Sequence, residues 1–142
     1  MNLINLQKRI KKNEGYSQKP YKDLLGYYTV GYGHLLRKED SKYFTTTFNK
    51  KHFDDLFIID FYKAINEYKK FFHRKSYKKK EKELLIEMIF QLGPKGVLKF
   101  KKMLFFLEKG EKYMTCLEMM DSLWYKQTPK RVLDLINNYV GK

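Results

Sequence analysis

The sequence predicts an α+β fold, mainly α, with a small N-terminal β-sheet lobe, a larger helical C-terminal lobe and a cleft between them. Three observations predict it. Apolar residues recur at spacings of three and four along most of the chain, the period of a helix with one buried face. Only residues 16–36 depart from this: Tyr28, Val30 and Tyr32 alternate there with Thr29, Gly31 and Gly33, the period of a strand. The chain has 142 residues with 43% hydrophobic content, enough for one compact domain, 1–142, built as two lobes.

The elements follow in order. Leu3, Leu6, Ile10 and then Glu14 lie on one helical face, and Gly15 stands where a C-cap glycine belongs, giving a first helix over about 2–14. Its apolar stripe must be buried, and packing it back on the helical lobe is the economical solution. A β-lobe over about 15–48 holds the hairpin and then a polar stretch at 37–48. Asn49 caps a long linking helix, about 49–70, whose stripe is Phe53, Leu56, Phe57, Phe61, Ala64, Ile65 and Tyr68. The helical lobe, about 71–142, begins with a helix carrying Leu84, Leu85, Met88, Ile89 and Leu92 that stops at Gly93-Pro94. Val97, Phe100, Leu104 and Leu107 mark the next, ended by Gly110, and another spans about Lys112 to Ser122. Thr128-Pro129 is a cap followed by proline at the first helical position, and the last helix should bury Val132, Leu133, Ile136, Tyr139 and Val140.

Composition narrows the function classes. The single cysteine, Cys116, excludes an intramolecular disulfide, as expected of a protein made in a reducing compartment, and reads as a small buried apolar residue. The N-terminal residues lack the apolar core of a signal peptide, and nowhere do 18 apolar residues run together. A soluble protein without membrane insertion is expected. The net charge of +14 implies a polyanionic partner, with nucleic acid, anionic lipid and bacterial cell wall all eligible. Much of the excess lies in the run Lys69–Lys82, of a kind that is usually solvated surface.

A few residues have chemistry to offer. Glu14 continues the apolar stripe of the first helix, where partial desolvation would favour its protonated form, as a general acid requires. Position alone, however, favours a solvated glutamate at a fraying helix end. Asp23 follows nine residues later, just before the turn at Gly26. Two carboxylates flanking a cleft can hydrolyse a glycoside, though Asp23 taken alone reads as a turn residue. Thr29 shares a face with Gly31 and Gly33, a hydroxyl beside an open surface where a ligand could approach the backbone. His34 points the other way, with Tyr28, Val30 and Tyr32, which argues for a structural role. Asp60 lies on the buried stripe of the long helix and needs a partner. His34 is a suitable one, a tie between sheet and helix.

The stretch from Glu14-Gly15 through Pro20-Tyr21, Asp23 and Gly26-Tyr27-Tyr28-Thr29-Val30-Gly31-Tyr32-Gly33-His34-Leu35-Leu36 resembles the catalytic region of the phage lysozyme family typified by the T-even enzyme, glycoside hydrolase family 24. The spacings of nine from Glu14 to Asp23 and six from Asp23 to Thr29 match the family's catalytic triad. The resemblance resumes at Phe90–Val97 and again at Trp124–Arg131, in the right order over nearly the whole chain. It implies that Glu14 gives a proton to the leaving glycosidic oxygen, that Asp23 activates or positions the attacking water, and that Thr29 helps to hold that water. The implied reaction cuts the β-1,4 bond between N-acetylmuramic acid and N-acetylglucosamine with inversion, which needs roughly 6.5–9.5 Å between the carboxyl groups. Leu35 and Phe90 match cleft positions lining the saccharide site, and Met103 and Glu118 stand where relatives have small polar or amide residues contacting substrate. Arg131 resembles an arginine near the catalytic glutamate, and His34 with Asp60 matches a structural ion pair. The segment after the hairpin is shorter than in the T-even type.

The implied protein is a monomeric muramidase acting on bacterial peptidoglycan, with no cofactor and no metal. It would be made in a host cytoplasm and reach the wall through a phage holin. Two rivals stand beside it. A basic nucleic-acid module fits the composition but has no supporting motif, so no specific nucleic-acid partner is expected. A non-catalytic cationic wall-binding protein is disfavoured because all three catalytic residue types are present.

Overall fold

A computed structural model of the chain describes residues 2–73 and 75–141. Arg74, part of the basic run, lies outside the described residues. The chain divides into two compact units, Asn2–Lys63 and Ala64–Lys142.

The N-terminal unit opens with α1 (Leu3–Glu14), whose Asn2 cap accepts the Asn5 amide and whose C-cap Gly15 has φ 70°. Leu6 and Ile10 are its buried residues. A three-stranded antiparallel sheet follows in the order β1 (Ser17–Lys22), β2 (Tyr28–Gly31), β3 (His34–Leu35). The strand alternation read through 28–33 stops at Gly31, because Val30 pairs with His34 and residues 32–33 form the turn between β2 and β3. The polar stretch at 37–48 holds a 3-10 turn (Lys38–Asp40) and a one-turn helix, α2 (Lys42–Thr45), which contacts β1. Neither had a periodic signature to announce it.

The long helix α3 (Lys50–Phe72) begins where Asn49 Oδ1 accepts the His52 amide at 3.0 Å. Phe53, Phe57, Phe61, Ala64 and Ile65 are buried along its stripe. The core of the N-terminal unit is strongly aromatic: Tyr32 lies 5.0 Å from Tyr16 and 5.7 Å from Phe57, and Tyr43 lies 5.8 Å from Phe53. Lys11 of α1 reaches over the rings of Tyr32 and Phe57, at 4.7 and 5.1 Å. These contacts show why α1, which the sequence groups with the helical lobe, falls within the unit Asn2–Lys63.

In the C-terminal unit α4 (Lys79–Leu98) starts with Glu81 accepting the Lys78 amide at 2.8 Å. Its helical backbone breaks at Gly93 (φ 75°, ψ 161°), a conformation reserved for glycine, and Pro94 opens a short second piece carrying the buried Val97. Val97 therefore ends this element instead of opening the next, α5 (Lys101–Glu108). After α6 (Lys112–Met120), Ser122 caps a separate five-residue helix, α7 (Leu123–Gln127), by accepting the Tyr125 amide. The buried Trp124 sits on α7 and donates to Gln91 of α4 at 3.0 Å.

The final helix, α8 (Pro129–Val140), has proline at its start as expected, but the Thr128 hydroxyl donates back to Trp124 O at 3.1 Å instead of capping it. The buried stripe of α8 is Val132, Leu135, Ile136 and Tyr139. Leu133 and Val140 are 39% and 45% exposed, so the sequence reading placed both on the wrong side. Each follows a buried residue by one position, a rotation of 100° that carries it off the stripe. Among the described residues no helix is long and apolar enough to cross a membrane.

Candidate active site

The site residues of the N-terminal unit are arranged around its small sheet. Asp23 follows the last residue of β1 and begins the turn into β2. Its amide donates to Tyr27 O at 2.8 Å, its carbonyl accepts from Gly26 N at 3.0 Å, and Gly26 takes φ 91° to close the loop. The carboxylate joins the same turn, with Oδ1 accepting from Leu25 N at 3.0 Å and Tyr27 N at 2.8 Å. Asp23 is thus a turn residue by its backbone and Oδ1, which fixes the carboxylate's orientation.

Thr29 stands between Tyr21 on β1 and Leu35 on β3, so these three side chains share a face of the sheet. Thr29 is 4% exposed, and its hydroxyl lies 3.5 Å from Tyr21 O, a distance at which a hydrogen bond is weak. Leu35, with 44% exposure, is the accessible member of the row.

Gly31, which ends β2, and Gly33, in the β2–β3 turn, do not leave the open surface that the sequence predicts. A Cβ on Gly31 would come within 2.7 Å of the Phe53 ring, so a core aromatic fills that space. At Gly33, φ 71°, a Cβ would collide with the carboxyl of Glu14 and lie 3.1 Å from its Cγ. Glycine here lets the last residue of α1 lay its carboxyl group against the hairpin backbone. Glu14 itself is partly buried.

His34 is held from two sides. Its Nδ1 lies 2.7 Å from Asp60 Oδ2 on α3, and its Nε2 lies 3.5 Å from Asp40 Oδ2 in the 3-10 turn. Asp40 is itself anchored by accepting the Arg37 amide at 3.0 Å. Burial pulls the His34 pKa down, but the hydrogen bond and charge of Asp60, with the charge of Asp40, outweigh it and hold it above its ordinary value. The Asp60 partner was legible in the helical pattern. Asp40 was not, since a single 3-10 turn leaves no period to read.

Two further clusters escaped the sequence reading. The Tyr43 hydroxyl meets His52 Nε2 at 2.7 Å, and that imidazole stacks on Phe48 at 4.4 Å. Tyr32 donates to Asp54 Oδ1 at 2.9 Å, beside Lys50 at 3.3 Å and Lys11 at 3.6 Å. Burial would raise the Asp54 pKa, but these donors and cations lower it overall.

The remaining expected site residues belong to the unit Ala64–Lys142. Phe90, Glu118 and Arg131 are partly exposed there. Glu118 helps line a groove on α5 and α6 with Lys102, Phe106 and Met114. Met103 is different: at 1% exposure its side chain fills the core of its unit and presents no surface to a ligand. The expectation of substrate contact at Met103 therefore fails on packing grounds.

A family model described as phage lysozyme matches residues 11–138, a span that includes all three motif blocks. The chain belongs to the phage lysozyme family. It is an enzyme of the lysozyme kind, a hydrolase, and its small sheet followed by a helical majority is a lysozyme-like α+β fold. It is 31% identical to "Probable T4-type lysozyme 2" of Dictyostelium discoideum, over 91% of this chain and 89% of that protein. To "Probable T4-type lysozyme 1" of the same organism it is 29% identical over the same shares.

Proposed function

We propose that this lysozyme-family hydrolase cuts the glycan backbone of bacterial peptidoglycan at the β-1,4 bond between N-acetylmuramic acid and N-acetylglucosamine, by a single displacement that inverts the anomeric carbon. Glu14 is the proton donor to the leaving oxygen, Asp23 activates or positions the attacking water, and Thr29 helps to hold it. The observation that carries this reading is the seating of the Glu14 carboxyl on Gly33, in the same small sheet whose β1–β2 turn orients Asp23. A general acid works only if its carboxyl group is held still relative to the bond it protonates. Both supports are backbone features, a glycine without a side chain and an amide-bonded turn.

Leu35, Phe90 and Glu118 are each proposed to contact the saccharide. The +14 charge supports attraction to the anionic wall. The setting proposed is lysis of a bacterium by a phage, with a monomeric enzyme made in the host cytoplasm and released through a holin-type lesion. The family's description, phage lysozyme, supports only the phage part of that setting. The test is release of reducing ends from purified peptidoglycan by wild type and Glu14→Gln, with the anomer of the first product read by NMR. Activity in Glu14→Gln within a few-fold of wild type would overturn the catalytic assignment, and a retained anomer would make Asp23 a nucleophile.

A further inference from the structure

We propose that the opposite side of the small sheet, presented by Lys22, Tyr28 and Phe44, is a second binding site for an amino-sugar glycan strand bearing carboxylates. This rests on the reading of the chain as a wall hydrolase and adds a surface that the cutting reaction does not use.

Tyr28 and Thr29 are neighbours on β2, so their side chains leave opposite faces of the sheet. Thr29 shares its face with Tyr21 and Leu35, whereas Tyr28 is paired across the ladder with Lys22. Burial follows the same division: Thr29 is 4% exposed and Tyr28 is 53% exposed. Beside Tyr28 stands Phe44 of α2, a residue 60% exposed whose ring lies edge-on to the tyrosine at 6.2 Å. The Lys22 ammonium lies 5.7 Å from the Tyr28 ring centre.

Two rings this open are costly to leave against water unless something covers them. Both are also held in place. The Tyr28 carbonyl accepts the Leu36 amide at 2.9 Å, and the Phe44 amide donates to Ser41 O at 3.0 Å. A fixed aromatic platform beside a cation suits a flat, apolar sugar face that carries a negative group. The C–H face of a β-linked pyranose lies on a ring, and a carboxylate of the strand meets Lys22. A neutral apolar partner would leave Lys22 without a role, and a phosphate polymer would leave the rings uncovered.

A strand bound here is not the stretch that faces Thr29. Its effect is to tether the enzyme to the wall between cuts, a second contact that raises the local concentration of substrate at the first.

The experiment uses the full chain. Tyr28→Ala/Phe44→Ala is made in a Glu14→Gln background, and sedimentation with purified sacculi measures binding without cutting. Binding should fall about five-fold or more, and Tyr28→Trp, which keeps the platform, should bind like the parent. With Glu14 intact, the double variant should turn over a soluble oligosaccharide of alternating N-acetylglucosamine and N-acetylmuramic acid, too short to span both faces of the sheet, as fast as wild type, and circular dichroism should show it folded. Unchanged binding to sacculi would overturn the proposal. Parallel loss of oligosaccharide turnover would do the same, by placing the rings in the cutting site. Dimers of the parent that dissociate in the variant would also overturn it, making the face a contact between copies. Should Glu14→Gln still cut sacculi, the catalytic assignment fails while the binding result stands by itself.

Discussion

The carboxyl group of Glu14 occupies the space that a side chain on Gly33 would need. The two residues are far apart in secondary structure, one ending α1 and the other turning β2 into β3, and the contact makes helix and sheet one piece. Gly33→Ala should therefore be harmful twice over. Its φ of 71° strains any residue with a Cβ, at about 1–3 kcal/mol. The new methyl group must also push the carboxyl aside. Turnover per folded molecule should fall at least about ten-fold, since small misplacements of a catalytic group cost on that order or more. Thermal denaturation with peptidoglycan turnover separates the effects, and full activity in the folded fraction would refute the seating role.

Asp23→Asn separates the turn from the chemistry. The amide oxygen can still accept from Leu25 and Tyr27, so the hairpin should keep its melting temperature within a few degrees. Activity should fall at least about a hundred-fold if the carboxylate acts as general base. Asp23→Ala, which removes the turn acceptor as well, should lose both. Equal losses of stability in the two variants would mean that charge, and not the Oδ1 bonds, holds the turn.

His34 predicts a pH dependence with a definite sign. Its pKa is raised in the folded protein, so its stabilisation is fully present below the unfolded value of 6.5 and fades as pH rises through the folded value. His34→Asn should cost about 1–3 kcal/mol at pH 5.5, less than for a fully buried pair because both side chains keep some exposure. The deficit should shrink by pH 8.5 as the neutral imidazole loses its charge interaction. Urea melts at both pH values measure this, and a deficit that grows with pH would contradict the pairing.

In the basic run, the lysines are not equivalent. Lys79 is exposed, while Lys80 donates to Asn138 of α8 at 3.1 Å. Lys79→Gln with Lys78→Gln should weaken binding to sacculi at low salt and leave stability within about 0.5 kcal/mol. Lys80→Ala should instead lower the melting temperature. Salt titration of wall binding distinguishes them, because screening removes the first effect and not the second.

What could be read in the sequence followed from period and caps. Leu6 and Ile10, the stripe of α3, and the Thr128-Pro129 start of α8 all have local signals that the fold obeys. Asp60 could be paired with His34 because both sat on apolar faces that left each needing a partner. The errors have equally physical causes. α2 and α7 are four and five residues long, too short for a helical period to register. Leu133 and Val140 were misplaced by a one-residue phase error, the smallest a stripe can suffer. At Gly33 the open surface expected for a ligand is taken instead by a side chain from nineteen residues earlier in the chain, which no local pattern encodes.

Glu14, Asp23, Thr29 and Gly33 all lie within the twenty residues 14–33. Closing a loop costs entropy that rises with its length, and contacts between near neighbours in sequence form fastest. The alignment of the Glu14 carboxyl with the hairpin is therefore cheap to assemble, and it is written into one contiguous stretch of the chain. Such an arrangement is inherited as a block. A recombination point on either side of the stretch leaves it whole, and exchanging that segment between relatives should transfer its geometry in a single step.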